Sequence, residues 1–148
     1  MEWRRGDYVI SDDPARIDVP AVHEWLSTDA YWSHGVPLDI VRRALANSMV
    51  FGIYREDTQV GFARVVSDRA SFAWVADVYI SSTERGHGLG KWLMECIKAQ
   101  PDLQGLRRWL LATRDAHGLY EQFGFVTSTT GRLMEIVDLD IYIRGRDE

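Results

Sequence analysis

The residues with the clearest chemical meaning form a glycine-rich turn, at the point where a β-rich run gives way to an amphipathic helix pattern. The turn comprises Arg85, Gly86, His87, Gly88, Leu89, Gly90 and Lys91. Glycines allow a backbone to turn sharply and to approach a ligand closely, so that several N–H groups can converge on one anion. The first turn of the following helix adds unpaired N–H groups and the positive end of its dipole. Together with the charges of Arg85 and Lys91, this pattern favours a phosphate or pyrophosphate ligand.

Counting residues excludes the two commonest phosphate-binding motifs from this turn. The Walker motif requires a glycine where the chain has Arg85, and a hydroxyl after Lys91, where the chain has Trp92. A dinucleotide motif that starts at Gly86 requires its third glycine at the position of Lys91. The spacing that does fit is Arg-x-x-Gly-x-Gly, which ends at Gly90.

A second segment, from Ala116 to Phe125, lies about thirty residues further along the chain. It fits the pattern Ala-x-x-Leu-Tyr-x-x-x-Gly-Phe, with Leu119 and Tyr120 at its centre. Together the two segments resemble the signatures of the GNAT superfamily of N-acetyltransferases, in which Gln/Arg-x-x-Gly-x-Gly/Ala follows a β-strand. The resemblance implies an enzyme that moves an acetyl group from acetyl-CoA to a primary amine.

The resemblance also implies where acetyl-CoA would bind, as a cosubstrate and without a metal ion. Its pyrophosphate would lie on the amides of residues 85–91, and its pantetheine arm would pair with a splayed strand edge near Val78, Tyr79 and Ile80. Thr113 occupies the position of a cofactor-binding asparagine in many relatives. A hydroxyl can replace some hydrogen bonds of that amide, so we expect Thr113 to contact the cofactor.

The chemistry of the reaction directs attention to a few further side chains. In the resembled family a tyrosine at the position of Tyr120 protonates the departing CoA thiolate, although on its own the residue would suit a packing role. Asp77 would accept the proton of the amine, directly or through water. Its alternative role is that of a structural hydrogen-bond acceptor. The other candidate bases are His117 and water alone. The N–H of Val78 would stabilise the oxyanion. Cys96 lies on an apolar helix stripe and is interpreted as a buried hydrophobe, so we expect direct attack in a ternary complex.

The acceptor site is expected at the link between the first two helices, where Tyr31, Trp32 and His34 cluster; a buried corner is the alternative interpretation. In the resembled fold this link forms a wall of the acceptor site. An acidic chain with aromatic residues there is compatible with a small amine or with an amine of a peptide or protein. A non-catalytic acyl-CoA-binding or regulatory module would use the same turn without needing Tyr120. The sequence leaves open the acceptor, the acyl-chain preference and the oligomeric state, a homodimer included.

The rest of the sequence predicts the elements that must position these residues. Strands are expected at Tyr8–Ser11 and Phe72–Ile80 and at residues 49–54, 60–66, 108–112 and 133–143. Helices are expected after Asp18, from Leu38 to near Asn47, from Leu89 until Pro101, and at residues 114–123. This order predicts an α/β or α+β domain of the GNAT-like fold, with a mixed, mostly antiparallel sheet flanked by about four helices.

Composition limits the remaining possibilities. The chain has 148 residues, so we expect one domain over residues 1–148. Its net charge of −5 argues against a nucleic-acid partner, since proteins that bind nucleic acid are normally basic. Its single cysteine excludes an intrachain disulfide and a cysteine-based metal cluster. No apolar run approaches the ~20 residues that span a bilayer, so we expect a cytoplasmic protein without a membrane partner.

Overall fold

The computed structural model describes residues 1–144, and within them one sheet contains six strands in the order of the chain. The strands are β1 (Glu2–Arg5), β2 (Tyr8–Ser11), β3 (Met49–Arg55), β4 (Thr58–Ser67), β5 (Phe72–Ile80) and β6 (Arg108–Leu111). Neighbouring strands from β1 to β5 are antiparallel, whereas β5 and β6 run parallel. This sheet confirms the mixed, mostly antiparallel architecture predicted from the sequence.

Five α-helices accompany the sheet in the described part of the chain. They are α1 (Val19–Glu24), α2 (Leu38–Ala46), α3 (Leu89–Ala99), α4 (His117–Glu121) and α5 (Ile141–Arg144). The predicted cap of α1 is present, since the side chain of Asp18 accepts the N–H of Ala21 at 3.1 Å. A π turn (Trp25–Asp29) continues α1, and a 3-10 turn (Tyr31–Ser33) begins the link to α2. We call the segment from this 3-10 turn to α2 the acceptor link.

Each face of the sheet has its own core. Helix α3 packs its apolar stripe, including Leu93 and Ile97, against one face, where Phe51 of β3 is fully buried. Helices α1 and α2 cover the other face, where Phe62 of β4 is fully buried. The burial of these apolar side chains is the main force that holds the helices on the sheet.

The described chain can be examined for a reactive thiol, a metal site and a membrane-spanning helix. Cys96 is 2% exposed within the α3 core, and burial raises the pKa of its thiol to about 12. Among residues 1–144, no three His, Cys, Asp or Glu side chains lie close enough together to hold a metal ion. In the same residues, no helix is both long and apolar enough to cross a lipid bilayer.

The elements differ from the sequence prediction at both ends of the chain. Strand β1 was not predicted, because its residues are mostly charged; it forms at the sheet edge, where Gly6 at a φ of +59° closes a hairpin to β2.

The predicted strand at residues 133–143 is wrong. Residues 126–140 have neither helix nor strand, and Ile141–Arg144 is a short helix. An alternating pattern produces a strand only where a neighbouring strand pairs with it, and none does so in the described chain. The helix predicted at residues 114–123 shortens to His117–Glu121.

Candidate active site

Strands β5 and β6 separate part of the way along β5, and their separation opens a gap in the sheet. Strand β6 pairs with residues 72–75 of β5. Residues 76–80 continue beyond that point with no partner on this side among the described residues. Unpaired backbone groups on a strand edge can bind a ligand as they would bind another strand. This open edge includes Val78, Tyr79 and Ile80.

A β-bulge at Ala76 lies at the start of the gap. Arg64 of β4 is opposite Asp77, whereas the next residue, Val65, is opposite Val75, so Ala76 is the extra residue. One extra residue reverses the alternation of side chains between the two faces of a strand. Val75 accordingly packs in the α3 core, whereas Asp77 borders a cavity on the α1–α2 side. The bulge therefore determines which face of the sheet the predicted general base occupies.

A cavity of about 310 Å³, the gap cavity, lies where β5 and β6 separate. Residues that the sequence analysis selected contribute to its lining, namely Tyr31, Trp32, Val78, Thr113 and Tyr120. They come from three parts of the chain: the acceptor link, β5, and the segment that leads into α4. The fold thus brings the candidate acid, the strand edge and two candidate acceptor-site residues to one place.

Tyr120 of α4 combines a packed ring with a hydroxyl suited to donate a proton. Its ring is T-shaped to that of Phe125, with 6.0 Å between the centroids. Burial raises the pKa of the phenol, and Tyr31 and Asp115 raise it further. The hydroxyl is therefore protonated at neutral pH. Nearby, the hydroxyl oxygen of Thr113 accepts an N–H in the turn before α4, and its own O–H can still donate.

The acceptor link contacts the opposite side of the gap through Tyr31. The Tyr31 hydroxyl oxygen accepts the backbone N–H of Arg114 at 3.1 Å, and the Arg114 guanidinium carbon lies 3.7 Å from the centroid of the Tyr31 ring. The ring of Trp32 is T-shaped to that of Tyr31 at 5.1 Å between centroids. His34 is exposed and is not among the residues that line the gap cavity. Tyr31 and Trp32 thus border the gap, and His34 lies outside it.

Asp77 is 6% exposed, and both of its carboxylate oxygens have hydrogen-bond donors. Oδ1 accepts the indole N–H of Trp32 at 2.7 Å, and Oδ2 accepts the Nε–H of Arg64 at 2.7 Å. Arg64 also donates to the Ser48 hydroxyl at 3.2 Å. The sequence analysis did not select Arg64, because its place opposite Asp77 is defined only by the β4–β5 register. These contacts fix the indole of Trp32 beside the gap.

A second cavity of about 200 Å³, the side cavity, adjoins the gap cavity at Trp32. Trp74 and Tyr142 also line it, together with Asp77 and Arg64. The side cavity thus has aromatic walls and a charged pair. The candidate base Asp77 borders this cavity, and Trp32 borders both.

His117, another candidate base, is exposed at the start of α4. It lines a third cavity of about 270 Å³ along β6, the β6-edge cavity, together with Trp109 and Leu133. Tyr120 borders this cavity as well as the gap cavity. His117 therefore lies outside the two cavities that Trp32 borders.

The glycine-rich turn leads from the open end of β5 into α3. Gly86 and Gly88 adopt φ values of +85° and +74°, in the left-handed region that favours glycine. Gly88 caps α3, and its carbonyl accepts the N–H of Trp92 at 3.1 Å. Residues 85–88 and Lys91 of the turn are exposed, whereas Leu89 is buried in the α3 core, and the first N–H groups of a helix have no partner within the helix. The backbone of residues 85–91 therefore fits the diphosphate that the sequence led us to expect.

The side chain of Arg85 is attached to the end of the π turn instead of reaching over the glycines. Nη2 donates to Oδ2 of Asp29 at 2.8 Å, and Nε donates to the carbonyl of Ile80 at 2.9 Å. The Tyr79 hydroxyl donates to the same oxygen of Asp29 at 2.5 Å. The hydrogen bond from Tyr79, followed by that from Arg85, lowers the pKa of Asp29, while burial and Asp29 raise the pKa of Tyr79 to about 12. Only the backbone of Tyr79 is left for a cofactor. The sequence analysis missed Asp29, since no local pattern distinguishes it.

A buried carboxylate anchors the turn from the other side. Glu84 accepts the Tyr8 hydroxyl at 2.6 Å and Nη1 of Arg55 at 3.3 Å. The hydrogen bond from Tyr8 is the main cause that lowers the pKa of Glu84. Arg5 donates to the carbonyl of His87 at 3.4 Å. The N-terminal hairpin therefore helps to hold the glycine-rich turn in place.

Comparison with known proteins leads to a family with the same sequence features and fold. The family described as Acetyltransferase (GNAT) family matches residues 19–125, more than half of the chain. A Gibberella zeae protein, named provisionally as an acetyltransferase, is 34% identical over 142 residues, with 81% of this chain and 79% of that protein covered. A crystal structure from Xanthomonas campestris pv. campestris, provisionally described as an acetyltransferase of the GNAT family, is 43% identical, with a TM-score of 0.89 over 91% of this chain and 96% of that chain. A GNAT-family protein from Streptococcus pneumoniae TIGR4 has a TM-score of 0.69 at 21% identity, over 88% of this chain and 96% of that chain, which shows a shared fold.

The family match includes the open edge of β5, the glycine-rich turn and the segment around Tyr120. Members of this family use acetyl-CoA as cosubstrate. The resemblance inferred from the two sequence segments and the predicted fold are both confirmed. This chain belongs to the GNAT family of acetyltransferases.

Proposed function

We propose that the protein transfers an acetyl group from acetyl-CoA to a primary amine. The observation that carries this proposal is the gap cavity, which both Tyr120 and the open edge of β5 border. Acyl transfer from a thioester requires an acid for the leaving thiolate and donors for the oxyanion. A protonated phenol and an unpaired strand edge can supply these two functions.

Acetyl-CoA binds along the turn and the open strand edge in this proposal. Its diphosphate accepts backbone N–H groups of residues 85–91, where the left-handed conformation of Gly88 lets the chain approach. The pantetheine arm pairs with β5 near Val78, and Thr113 donates its hydroxyl from the opposite side of the gap. Arg85 contributes by holding the turn through its contacts with Asp29.

The amine attacks the thioester carbonyl directly while both substrates are bound. The C–N bond forms, the carbonyl electrons move onto oxygen, and the N–H of Val78 stabilises the charge. The C–S bond then breaks, and Tyr120 gives its proton to the thiolate and regains one from solvent. A covalent acetyl-enzyme has little support, because Cys96 is buried in the α3 core and no Cys, Ser, Lys or His among residues 1–144 lines the gap cavity.

The amine loses a proton in this reaction, and we propose that Asp77 accepts it through a water molecule. Asp77 borders the side cavity beside Trp32, and its two hydrogen bonds leave further lone pairs on the carboxylate. A direct transfer would need the amine itself to reach this nearly buried group. His117 lines neither the gap cavity nor the side cavity, so water alone is the alternative left among the bases that the sequence analysis named.

The size and lining of the side cavity favour one kind of acceptor, which is a small primary amine or a single amine-bearing group of a peptide or protein. Its volume of about 200 Å³ suits a compact group. Trp32 and Trp74 provide apolar walls, and aromatic faces also attract an ammonium ion before it loses its proton. Asp77 supplies a carboxylate to the same wall, where it is paired with Arg64.

Release of free CoA thiol across a panel of amines tests this proposal. The panel comprises small aliphatic and aromatic amines, diamines, amino sugars, and peptides with a lysine or a free N-terminus. We expect thiol release that depends on both substrates for one class of amine. Binding of acetyl-CoA in calorimetry without release for any class would favour the non-catalytic acyl-CoA-binding module. Failure to bind acetyl-CoA would overturn both functions.

A further inference from the structure

Helix α2 gives the side cavity a wall to which the proposed reaction assigns no role. Four residues of this helix line the cavity, and all of them are apolar, namely Ile40, Val41, Ala44 and Leu45. Leu26 of the π turn and Val36 of the acceptor link extend this wall. Such a wall favours apolar ligand groups, because a polar group placed against it loses its hydrogen bonds to water.

The side cavity opens onto the gap cavity over a broad front. Trp32, Trp74 and Ala76 line both cavities. The gap cavity is where the proposed function places the thioester, beside the open edge of β5. An amine that reaches the thioester from the side cavity therefore leaves the rest of its molecule against the wall of α2.

Two charged residues among residues 1–144 line the side cavity, and they neutralise each other. Nε of Arg64 lies 2.7 Å from Oδ2 of Asp77, and the two side chains are 22% and 6% exposed. The other carboxylate oxygen of Asp77 accepts the indole N–H of Trp32. A ligand ammonium at Asp77 would have to displace one of these donors and would meet the positive charge of Arg64. The lining thus offers a second ammonium group no uncompensated charge.

The volume of the side cavity limits the apolar group that it can hold. The cavity measures about 200 Å³. For comparison, an apolar cavity of about 150 Å³ in another protein accommodates a benzene molecule. The side cavity therefore has room for a phenyl ring on a short linker, or for an alkyl chain of similar volume.

We propose that the acceptor is a primary monoamine with an apolar group of this size, which occupies the side cavity while the amine reaches the thioester. This acceptor class rests on the acetyl transfer proposed above and narrows it. Arg64 is a specificity-determining residue, because its charge balances that of Asp77 and disfavours diamines and polyamines. Amino sugars are disfavoured as well, because their hydroxyl groups would lose water against the wall of α2.

Amines of matched size test the chemical class. Straight-chain amines from propylamine to hexylamine have nearly the same basicity, so differences among them report on the binding of the chain. We expect kcat/KM to rise about fourfold with each methylene group until the cavity is full. 1,4-Diaminobutane has as many non-hydrogen atoms as pentylamine, and its kcat/KM should be lower by roughly tenfold or more. A diamine or an amino sugar that is acetylated as well as its apolar counterpart would overturn the proposal.

Filling the cavity tests where the apolar group binds. Ala44→Leu adds bulk to the wall of α2, whereas Ala46→Leu makes the same change at an exposed position of the same helix. Ala44→Leu should lower kcat/KM by roughly tenfold or more for pentylamine and by less than about threefold for methylamine, with unchanged affinity for acetyl-CoA. Ala46→Leu should change none of these values. Equal losses on both amines in Ala44→Leu, or no loss on pentylamine, would refute the proposed site.

Removal of the compensating charge tests the role of Arg64. In Arg64→Gln the carboxylate of Asp77 is unbalanced, so the ratio of kcat/KM for 1,4-diaminobutane to that for pentylamine should rise by roughly tenfold or more. Arg42→Gln removes the same charge from an exposed position of α2 and should leave the ratio unchanged. A ratio in Arg64→Gln equal to that of the wild type would show that Arg64 does not determine the specificity.

Calorimetry of amine binding in the presence of CoA separates this proposal from the acetyl transfer on which it rests. Pentylamine that binds to the wild type and not to Ala44→Leu, without release of thiol from acetyl-CoA, would support the apolar site and refute the transfer. Release of thiol with a cationic acceptor, together with no binding of pentylamine, would support the transfer and refute the apolar site.

Discussion

Replacement of Tyr120 by phenylalanine tests the proposed chemistry most directly, because it removes one oxygen atom and keeps the ring. The ring packs against Phe125 and against the α3 core, and phenylalanine retains both contacts. We therefore expect the free energy of unfolding to change by about 0.5 kcal/mol or less. Affinity for acetyl-CoA should change less than about threefold, since the proposed binding groups are the turn and the strand edge.

The rate should respond far more strongly than the affinity. Loss of a general acid lowers turnover by roughly 10²–10⁴-fold, and the low end, about 100-fold, applies here because the cavity is open to water, which can replace the acid in part. A 100-fold loss corresponds to about 2.7 kcal/mol in the activation barrier. Burial raises the pKa of Tyr120 above its usual value. The alkaline loss of acid catalysis in the wild type should therefore begin above about pH 10 and be absent from the variant.

Thiol release with two donors separates acid catalysis from a general disturbance of the site. We would measure turnover with acetyl-CoA and with an acetyl thioester whose thiol is more acidic. The variant should lose less activity on the second donor, because a better leaving group needs less protonation. Tyr31→Phe removes another hydroxyl from the same cavity, one that accepts the N–H of Arg114, and should affect both donors equally. Equal, small losses on both donors for Tyr120→Phe would refute its role as the acid.

The remaining predictions concern binding and stability. Gly88→Val imposes a φ of +74° on a β-branched residue, a strain of roughly 1–2 kcal/mol, and should weaken CoA binding at least tenfold in calorimetry. Gly105→Val imposes a similar φ of +71° outside the turn and should bind CoA normally. Asp29→Ala removes the acceptor of two hydrogen bonds and should raise the CoA dissociation constant about tenfold, whereas Asp57→Ala in an exposed turn should not; equal effects would disprove the anchoring role. The Asp68 carboxylate accepts the hydroxyl and the backbone N–H of Ser71, and the backbone N–H groups of Ala70 and Phe72. These hydrogen bonds lower the pKa of Asp68. The stability that the ionised Asp68 gives the folded protein is present above about pH 4 and is lost as the pH falls further. In Asp68→Asn the free energy of unfolding should therefore fall less steeply with decreasing pH below about pH 4, and an unchanged slope would contradict this account.

Features that depend on neighbouring residues could be predicted from the sequence. The glycine-rich turn, the apolar stripe of α3 and the cap at Asp18 each need only a short segment, because turn geometry and helix periodicity are local. The fold and the family followed from the order of such elements and are confirmed. The roles of Tyr120 and Asp77 stay predictions.

Features that depend on strand register could not be predicted in this way. The hydrogen bond from Trp32 to Asp77 joins residues 45 positions apart, and that from Arg85 to Asp29 joins residues 56 positions apart. The bulge at Ala76 decides the face of β5 on which Asp77 lies, and neither the composition nor the alternation of β5 reveals it. Long-range pairing of this kind is defined by the packed fold and not by any local pattern.

The predicted strand at residues 133–143 failed for a different reason. Its alternation meets the requirement of strand geometry, but a strand also needs a partner for its backbone hydrogen bonds. The described chain has a free edge at β6, yet residues 133–143 do not pair with it.

The position of Asp29 connects the two halves of the candidate site. It ends the π turn two residues before Tyr31, and its carboxylate holds Arg85, the first residue of the glycine-rich turn. Trp32, on the same acceptor link, is fixed by Asp77 of β5. The acceptor link and the turn are therefore both attached to the end of one strand, which sets their separation before any substrate binds. Such preorganisation favours direct attack between two bound substrates, because little further ordering is needed at the moment of reaction. It also gives Arg85 a structural role, because its side chain holds the turn through Asp29 and Ile80, whereas the proposed function assigns the diphosphate to the backbone amides.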